Sequence, residues 1–185
     1  MVRKAVLLLV LAGWCTGISL VVQAMGIPQI QYLTQEQFVQ QTFGSSQPQW
    51  KMLILDATLK QKAAEILQHP YTGMRVRYWI AGQRTAWIID EIGKEMPITV
   101  GVAVDGDSIQ QVKILVYREE RGGEVHQDFF TRQFESVTLT GDERLSRSID
   151  GITGATLSVQ AVSRVANLVL VMHRHVLAKA AAQGM

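Results

Sequence analysis

Cysteine is nearly absent from this chain. Among 185 residues only Cys15 is a cysteine, and it lies in the N-terminal leader, so the remainder has no thiol. That excludes a disulfide framework, thiolate-bound iron–sulfur clusters and the C-x-x-C-H attachment of c-type haem. A surplus of charge is missing as well. Lys and Arg total 18 against 16 Asp and Glu; two of the basic residues, Arg3 and Lys4, belong to the leader, and the rest of the chain is balanced. No basic face is implied, which argues against nucleic acid as a partner. There is no internal repeat and no low-complexity segment. Hydrophobic residues at 48% and charged residues at 18% suit a globular chain of one domain with additions.

The start, MVRKAVLLLVLAGWCTGISLVVQAMG, carries two positive charges and then none of either sign before Glu36. This is the pattern of an export signal, with Val22-Gln23-Ala24 as a small-residue cleavage site. The uncharged run from Ala5 to Ala24 also approaches the roughly 20 residues that span a bilayer. Residues 1–24 are therefore read as a cleaved signal peptide or a retained membrane anchor. In both cases the positive N-terminal flank sends the rest of the chain across the cytoplasmic membrane, to be periplasmic, anchored or released. Bulky Trp14 ahead of Cys15 argues against a lipoprotein box.

Residues 25–96 are expected to form a helical and strand-containing segment that packs on a domain of residues 97–185. Thr34 and Gln37 make a capping box ahead of QFVQQTF. Asp56 is placed to cap ATLKQKAAEILQ, whose Leu59, Ala63, Ile66 and Leu67 share one face, and His69-Pro70 ends that helix. From Met74 the pattern changes to strands. MRVRYWI and RTAWIID flank a short turn at Ala81-Gly82, and ITVGVAV and SIQQVKILVY flank Asp105-Gly106-Asp107, a hairpin signal. SVTLT at 136–140 is expected as one more short strand. After Thr156, Val159, Val162, Ala166, Val169, Met172 and Val176 form a helical stripe. The fold class is α+β: a mainly antiparallel sheet flanked by helices, with a long C-terminal helix.

The chemistry concentrates in SIDGITGATLSVQAV, residues 148–162. A helix N-terminus presents unpaired N–H groups and a positive dipole end, so it binds anions without basic side chains. Gly151 and Gly154 permit close approach of backbone, Ala155 is small, and Thr153, Thr156 and Ser158 supply hydroxyls. The loop contains no lysine, so it is not a Walker-type nucleotide site. It suits a phosphate monoester or diester. The alternative from these residues alone is a plain helix cap by Thr153 or Thr156, with Asp150 favouring the first turn.

Asp150-Gly-Ile-Thr-Gly-Ala-Thr156 resembles the flavinylation signature of FMN-binding domains, Asp-Gly-x-Ser/Thr-Gly-Ala-Thr, found in sodium-pumping NADH:quinone reductases and Rnf-type electron-transport complexes. The segment PITVGVAVDGDSIQQVKILVYREERGGEVHQDFFTRQF before it is similar to that family's strand–turn–strand, glutamate, Gly-rich loop and Phe-rich helix, so the resemblance spans about residues 97–170. It implies FMN joined by a phosphoester bond to Thr156, attached by an exported Mg-dependent flavin transferase that uses FAD and releases AMP. Asp150 would belong to the transferase's recognition signature or orient the threonine. Gly151, Gly154 and Ala155 would give backbone access, Thr153 and the amides beyond Thr156 would hold phosphate oxygens, and Ser158 would be a further cofactor-binding residue. The family often reads Glu-Thr-Pro-Gly-Leu-Gly where this chain has Glu120-Arg121-Gly122-Gly123-Glu124, so the loop is altered around the matched Glu120.

The function so implied is that of an exported electron-transfer flavoprotein, with a membrane or periplasmic redox donor and acceptor as partners. The alternative is a noncovalent FMN- or phosphate-ligand-binding module with a sensing or scaffold role. No nucleophile–base pair or metal cluster stands out, which favours a redox carrier over an independent enzyme. Trp50, Trp79 and Trp87 read as core, with one of them a candidate to line the flavin ring; Tyr78 and Tyr117 are similarly open. His173 and His175, two apart on a helix, do not share a face for a metal and are expected on the solvated surface. His69 reads as a loop residue and His126 as the start of a short helix.

Overall fold

The computed structural model describes residues 29–183; the leader expected over residues 1–24 lies outside them. Four of the six strands are the ones the alternation indicates: β3 (Arg75–Ala81), β4 (Arg84–Ile92), β5 (Pro97–Asp105) and β6 (Ser108–Tyr117). They follow one another as an antiparallel meander with turns at Gly82 and Gly106. Two further strands complete a six-stranded sheet, β1 (Ile30–Gln31) beside β6 and β2 (Gln49–Ile54) beside β3, in the order β1-β6-β5-β4-β3-β2. All pairings are antiparallel, and the fold is α+β as the sequence indicates.

Neither edge strand was legible. In β2 only Leu53 is buried, while Trp50, Met52 and Ile54 lie exposed on the opposite face, so the apolar residues mark no core. Two residues of β1 are too few to carry a period. The imperfect alternation of β6 has a clear cause: the β5–β6 register shifts at Thr99/Val100 and Ala103/Val104, and each shift puts successive residues out of step with the two faces. The short strand expected at 136–140 is not formed. Ser136 has a positive φ of 62°, and the segment closes on itself, with Ser146 N–H donating to the Thr138 carbonyl and Thr140 N–H to the Arg144 carbonyl. Only an isolated Leu139–Leu145 bridge results.

The helices cover both faces. α1 (Gln35–Phe43) begins in the expected capping box, with Gln37 N–H donating to Thr34 Oγ1 at 3.1 Å and Thr34 N–H to Gln37 Oε1 at 2.8 Å. It packs Phe38 and Phe43 on Ala86, Ala103 and Leu115. α2 (Ala57–Leu67) is capped by Asp56, which accepts from Leu59 N–H at 2.8 Å. α2 lies on the other face beside α4 (Thr156–Gln183), after the single turn α3 (Asp128–Thr131). Val159, Val162, Val165, Ala166, Val169 and Met172 of α4 are buried with Trp87, Val100, Val102 and Ile114 of the sheet. At about 1.5 Å per residue α4 is about 42 Å long, longer than the roughly 31 Å of a nine-residue strand. It begins where β6 ends, at Tyr117, and passes the Gly106 turn at the far end of the sheet.

His173 fixes that far end. It is buried, not solvated as expected, because the helical stripe wraps far enough round α4 to carry position 173 onto the sheet. Its Nε2–H donates to the Gly106 carbonyl at 2.7 Å, which leaves Nδ1 to accept from the Thr85 hydroxyl at 2.7 Å. Thr85 Oγ1 in turn accepts from the Trp87 indole N–H at 2.8 Å. In this arrangement the imidazole is neutral, in keeping with its burial. Burial pushes the His173 pKa below the ordinary histidine value, against the opposing pull of the Gly106 carbonyl and Asp105.

Because the folded pKa is depressed, the stability that His173 contributes is complete above the unfolded value of about 6.5 and is lost as pH falls through the folded one. His173→Phe should strand the Gly106 carbonyl, cost about 1–3 kcal/mol at pH 8 and remove this acid-side loss. Urea unfolding of both proteins at pH 8 and pH 5 measures it; an equal loss of stability in the variant on going to pH 5 would refute the assignment.

Candidate functional site

Beyond Tyr117 the chain leaves β6 as Arg118-Glu119-Glu120-Arg121-Gly122-Gly123 and crosses the start of α4. Arg118 is tied back to the sheet, its guanidinium donating to the Pro97 carbonyl and to Thr99 Oγ1, both at 3.0 Å. Glu119 does more. Its Oε1 accepts the backbone N–H groups of Lys94, Glu95 and Met96 at 2.5, 2.7 and 2.9 Å. One carboxylate thereby gathers the β4–β5 turn and fastens it to the loop after β6. Burial raises the Glu119 pKa, but the three amide donors and the Lys94 ammonium outweigh it and hold the carboxyl below its ordinary value.

Tyr117 marks the junction. Its hydroxyl donates to the Arg121 carbonyl at 2.5 Å, so the Ser158 hydroxyl, 2.9 Å away, donates to Tyr117. Gly122 sits over this pair with φ of 85°. A Cβ there would lie 2.9 Å from the Tyr117 oxygen, 3.0 Å from Ser158 Oγ and 3.2 Å from Ala155 Cβ. Both the backbone angle and the contact distance demand glycine. The altered Gly122-Gly123 loop thus presses directly on the first turn of α4.

The signature loop is held from the opposite side. Gln133, in the 3₁₀ turn Arg132–Phe134, accepts Asp150 N–H through Oε1 at 2.7 Å. Gly154 takes a φ of 84°, and Ala155 N–H closes on the Ile152 carbonyl at 2.9 Å. Ala155 then occupies the cap position, its carbonyl accepting the Val159 N–H at 2.9 Å. Alanine has no side-chain acceptor, and neither Thr153 nor Thr156 supplies the plain cap. The N–H groups of Thr156, Leu157 and Ser158 open a 28-residue helix with no capping side chain among the described residues. They are the donors an anion would use.

Thr156 is exposed, as are Asp150, Gly151, Thr153 and Gly154, whereas Ala155 and Ser158 are buried. A cleft of about 550 Å³ runs past Thr156 between Gly154, Leu157 and Ser158 on one side and Lys94, Glu95, Glu119, Glu120 and Arg121 on the other. A second cleft of about 470 Å³ adjoins it, sharing Glu120, Arg121 and Gly154, and is bounded by Thr153, Gly122, Gly123, Tyr32 and His126. Six of the eight expected site residues, Thr153, Gly154, Ala155, Thr156, Ser158 and Glu120, therefore line the two clefts, with Glu120 where they meet, while Asp150 and Gly151 lie in the loop that precedes them. Ser158 acts differently, because its hydroxyl is committed to Tyr117 and so positions the helix start.

Sequence reading missed Glu119, Gln133, Tyr32 and Lys94. Nothing in a Glu-Glu pair after a strand tells which carboxylate turns inward, and Tyr32 and Gln133 stand far from the signature in sequence. The tryptophans lie elsewhere. Trp87 is buried and stacked on Tyr78, Trp79 packs on the α1 side, and Trp50 is exposed on β2 beside Arg77.

If Glu119 holds the turn as a carboxylate, its depressed pKa means that the clamp is complete above the ordinary glutamate value of about 4.3 and is lost as pH falls through the lower folded value. In a pH titration followed by NMR, the amide resonances of Lys94, Glu95 and Met96 should move together with a midpoint below about 4.3. Glu119→Gln should abolish that common titration. A common midpoint at or above the ordinary value would contradict the arrangement.

No curated protein matches the chain. Residues 93–171 match the family model of the FMN-binding domain, from the turn that Glu119 gathers to the middle of α4. The clefts and the signature loop all fall within this match except for Tyr32, which precedes it. Over these residues the chain is similar to the FMN-binding domain family, which supports flavin binding by this part of the molecule.

Proposed function

We propose that this chain is an exported electron-transfer protein that carries FMN through a phosphoester bond to Thr156. The observation that carries the proposal is the position of Thr156: an exposed hydroxyl at the first residue of an uncapped 28-residue helix, opening on a cleft inside the matched domain. The residues fit the group. Amides of Thr156, Leu157 and Ser158 are oriented for phosphate oxygens, Gly154 keeps the approach free of a side chain, and the cleft has the breadth for the ribityl chain. Asp150, exposed and anchored through its backbone, is accessible to a maturation enzyme.

Attachment calls for an exported Mg-dependent flavin transferase acting on this chain. Thr156 Oγ forms the new bond to the FMN phosphorus of FAD, the phosphoanhydride bond breaks, AMP leaves, and the hydroxyl proton passes to a base of the transferase. Bound FMN supplies one- and two-electron redox chemistry. The chain's residues hold the phosphate and leave the adjoining clefts open to a membrane or periplasmic donor and acceptor. Export rests on the leader sequence; no helix among the described residues is long and apolar enough to cross a membrane.

The test is the intact mass of the chain coexpressed in the exported compartment with an active flavin transferase. Wild type should gain the mass of FMN less water, and Thr156→Ala, folded by circular dichroism, should gain nothing. No gain in wild type, or an equal gain in the variant, would overturn the attachment. Flavin that copurifies with wild type but leaves on denaturation would point to the noncovalent module instead.

A further inference from the structure

The two clefts differ in chemistry. Both carry charged side chains, but the one at Thr156 contains no aromatic residue, whereas the adjoining one is walled by Tyr32 and His126 beside the Gly122-Gly123 backbone. Tyr32 and His126 lie face to face, ring centroids 4.1 Å apart and planes 8° from parallel. Each is fixed by the backbone: Tyr32 N–H donates to the Leu115 carbonyl at 2.8 Å, and His126 Nδ1–H donates to the Gly123 carbonyl at 2.5 Å. Both side chains are only partly buried.

The other aromatic candidates are committed elsewhere. Tyr117 and Tyr78 are in the core, Trp87 is fully buried, and Trp50 and Trp79 belong to the β2–β3 region on the α1 side. An extended planar heterocycle tethered at Thr156 has one aromatic surface within the contiguous clefts. Stacking on aromatic faces favours such an offset arrangement.

We propose that the Tyr32–His126 pair is the subsite for the isoalloxazine ring. This rests on the reading of Thr156 as the attachment point and extends it: Tyr32 lies outside residues 93–171, so the chain segment before the matched domain supplies half of the ring wall. Phosphate at the start of α4 and ring against Tyr32–His126 place the ribityl chain across Gly154, which both clefts share.

The experiment compares FMN-loaded wild type, Tyr32→Leu, Tyr32→Trp, His126→Leu and, as a remote control, Trp50→Leu. Intact mass gives the loading of each, and flavin fluorescence is then read per bound flavin. An electron-rich ring in contact quenches flavin emission. Tyr32→Leu should therefore raise emission severalfold, Tyr32→Trp should keep it quenched, His126→Leu should shift the visible absorption band, and Trp50→Leu should match wild type. Full loading with emission and absorption alike in all five proteins would overturn the ring assignment while leaving the attachment intact. No loading of wild type would overturn both.

Discussion

The geometry of this end of the molecule depends on one contact, the crossing of the β6 exit loop over the first turn of α4. Tyr117 and Ser158 share a hydrogen bond beneath Gly122, and no Cβ fits above them. That contact fixes the helix start relative to the sheet edge. The start needs such fixing because Ala155 gives it no cap. A helix of this length ordinarily satisfies its first amides with a Ser, Thr, Asp or Asn side chain, worth about 0.5–2 kcal/mol. Here that stabilisation is forgone, and burial of a long apolar face against the sheet supplies the order instead.

Clamps at both ends of α4 make the arrangement rigid. At the far end His173 joins the helix to the β5–β6 turn and to Thr85. At the near end Glu119 gathers three amides of the β4–β5 turn, and Gln133 holds Asp150. None of these residues needs to touch a ligand. They set where the exposed Thr156 stands, and their own hydrogen bonds are made elsewhere in the chain, so they do not compete for the open amides. A phosphate at this position meets preorganised donors and incurs little ordering cost.

The sequence was informative where a residue's local neighbours decide its fate. The Thr34–Gln37 capping box, the Asp56 cap, the meander of four strands and the stripe that becomes α4 are all short-range patterns, and all are present. The turn into α4 was legible for the same reason, since Gly154 takes its positive φ just before the helix begins at Thr156. Long-range pairing was not legible. The edge strand β2 buries only Leu53, the SVTLT segment folds on itself, and His173 is buried by a turn of helix that its own neighbours do not reveal. The partners of the site, Glu119, Gln133 and Tyr32, are brought in by the sheet from distant positions.

What unites these features is a helix start whose first amides stay open, the place proposed for the FMN phosphate. The most direct measurement follows the amides themselves. In matched samples with and without covalently attached FMN, the hydrogen exchange and chemical shifts of the Thr156, Leu157 and Ser158 amides should change together: slowed exchange and downfield shifts on loading, with the His173 region unchanged. Loading that leaves these three amides as they were would contradict the phosphate cradle, whatever residue carries the flavin.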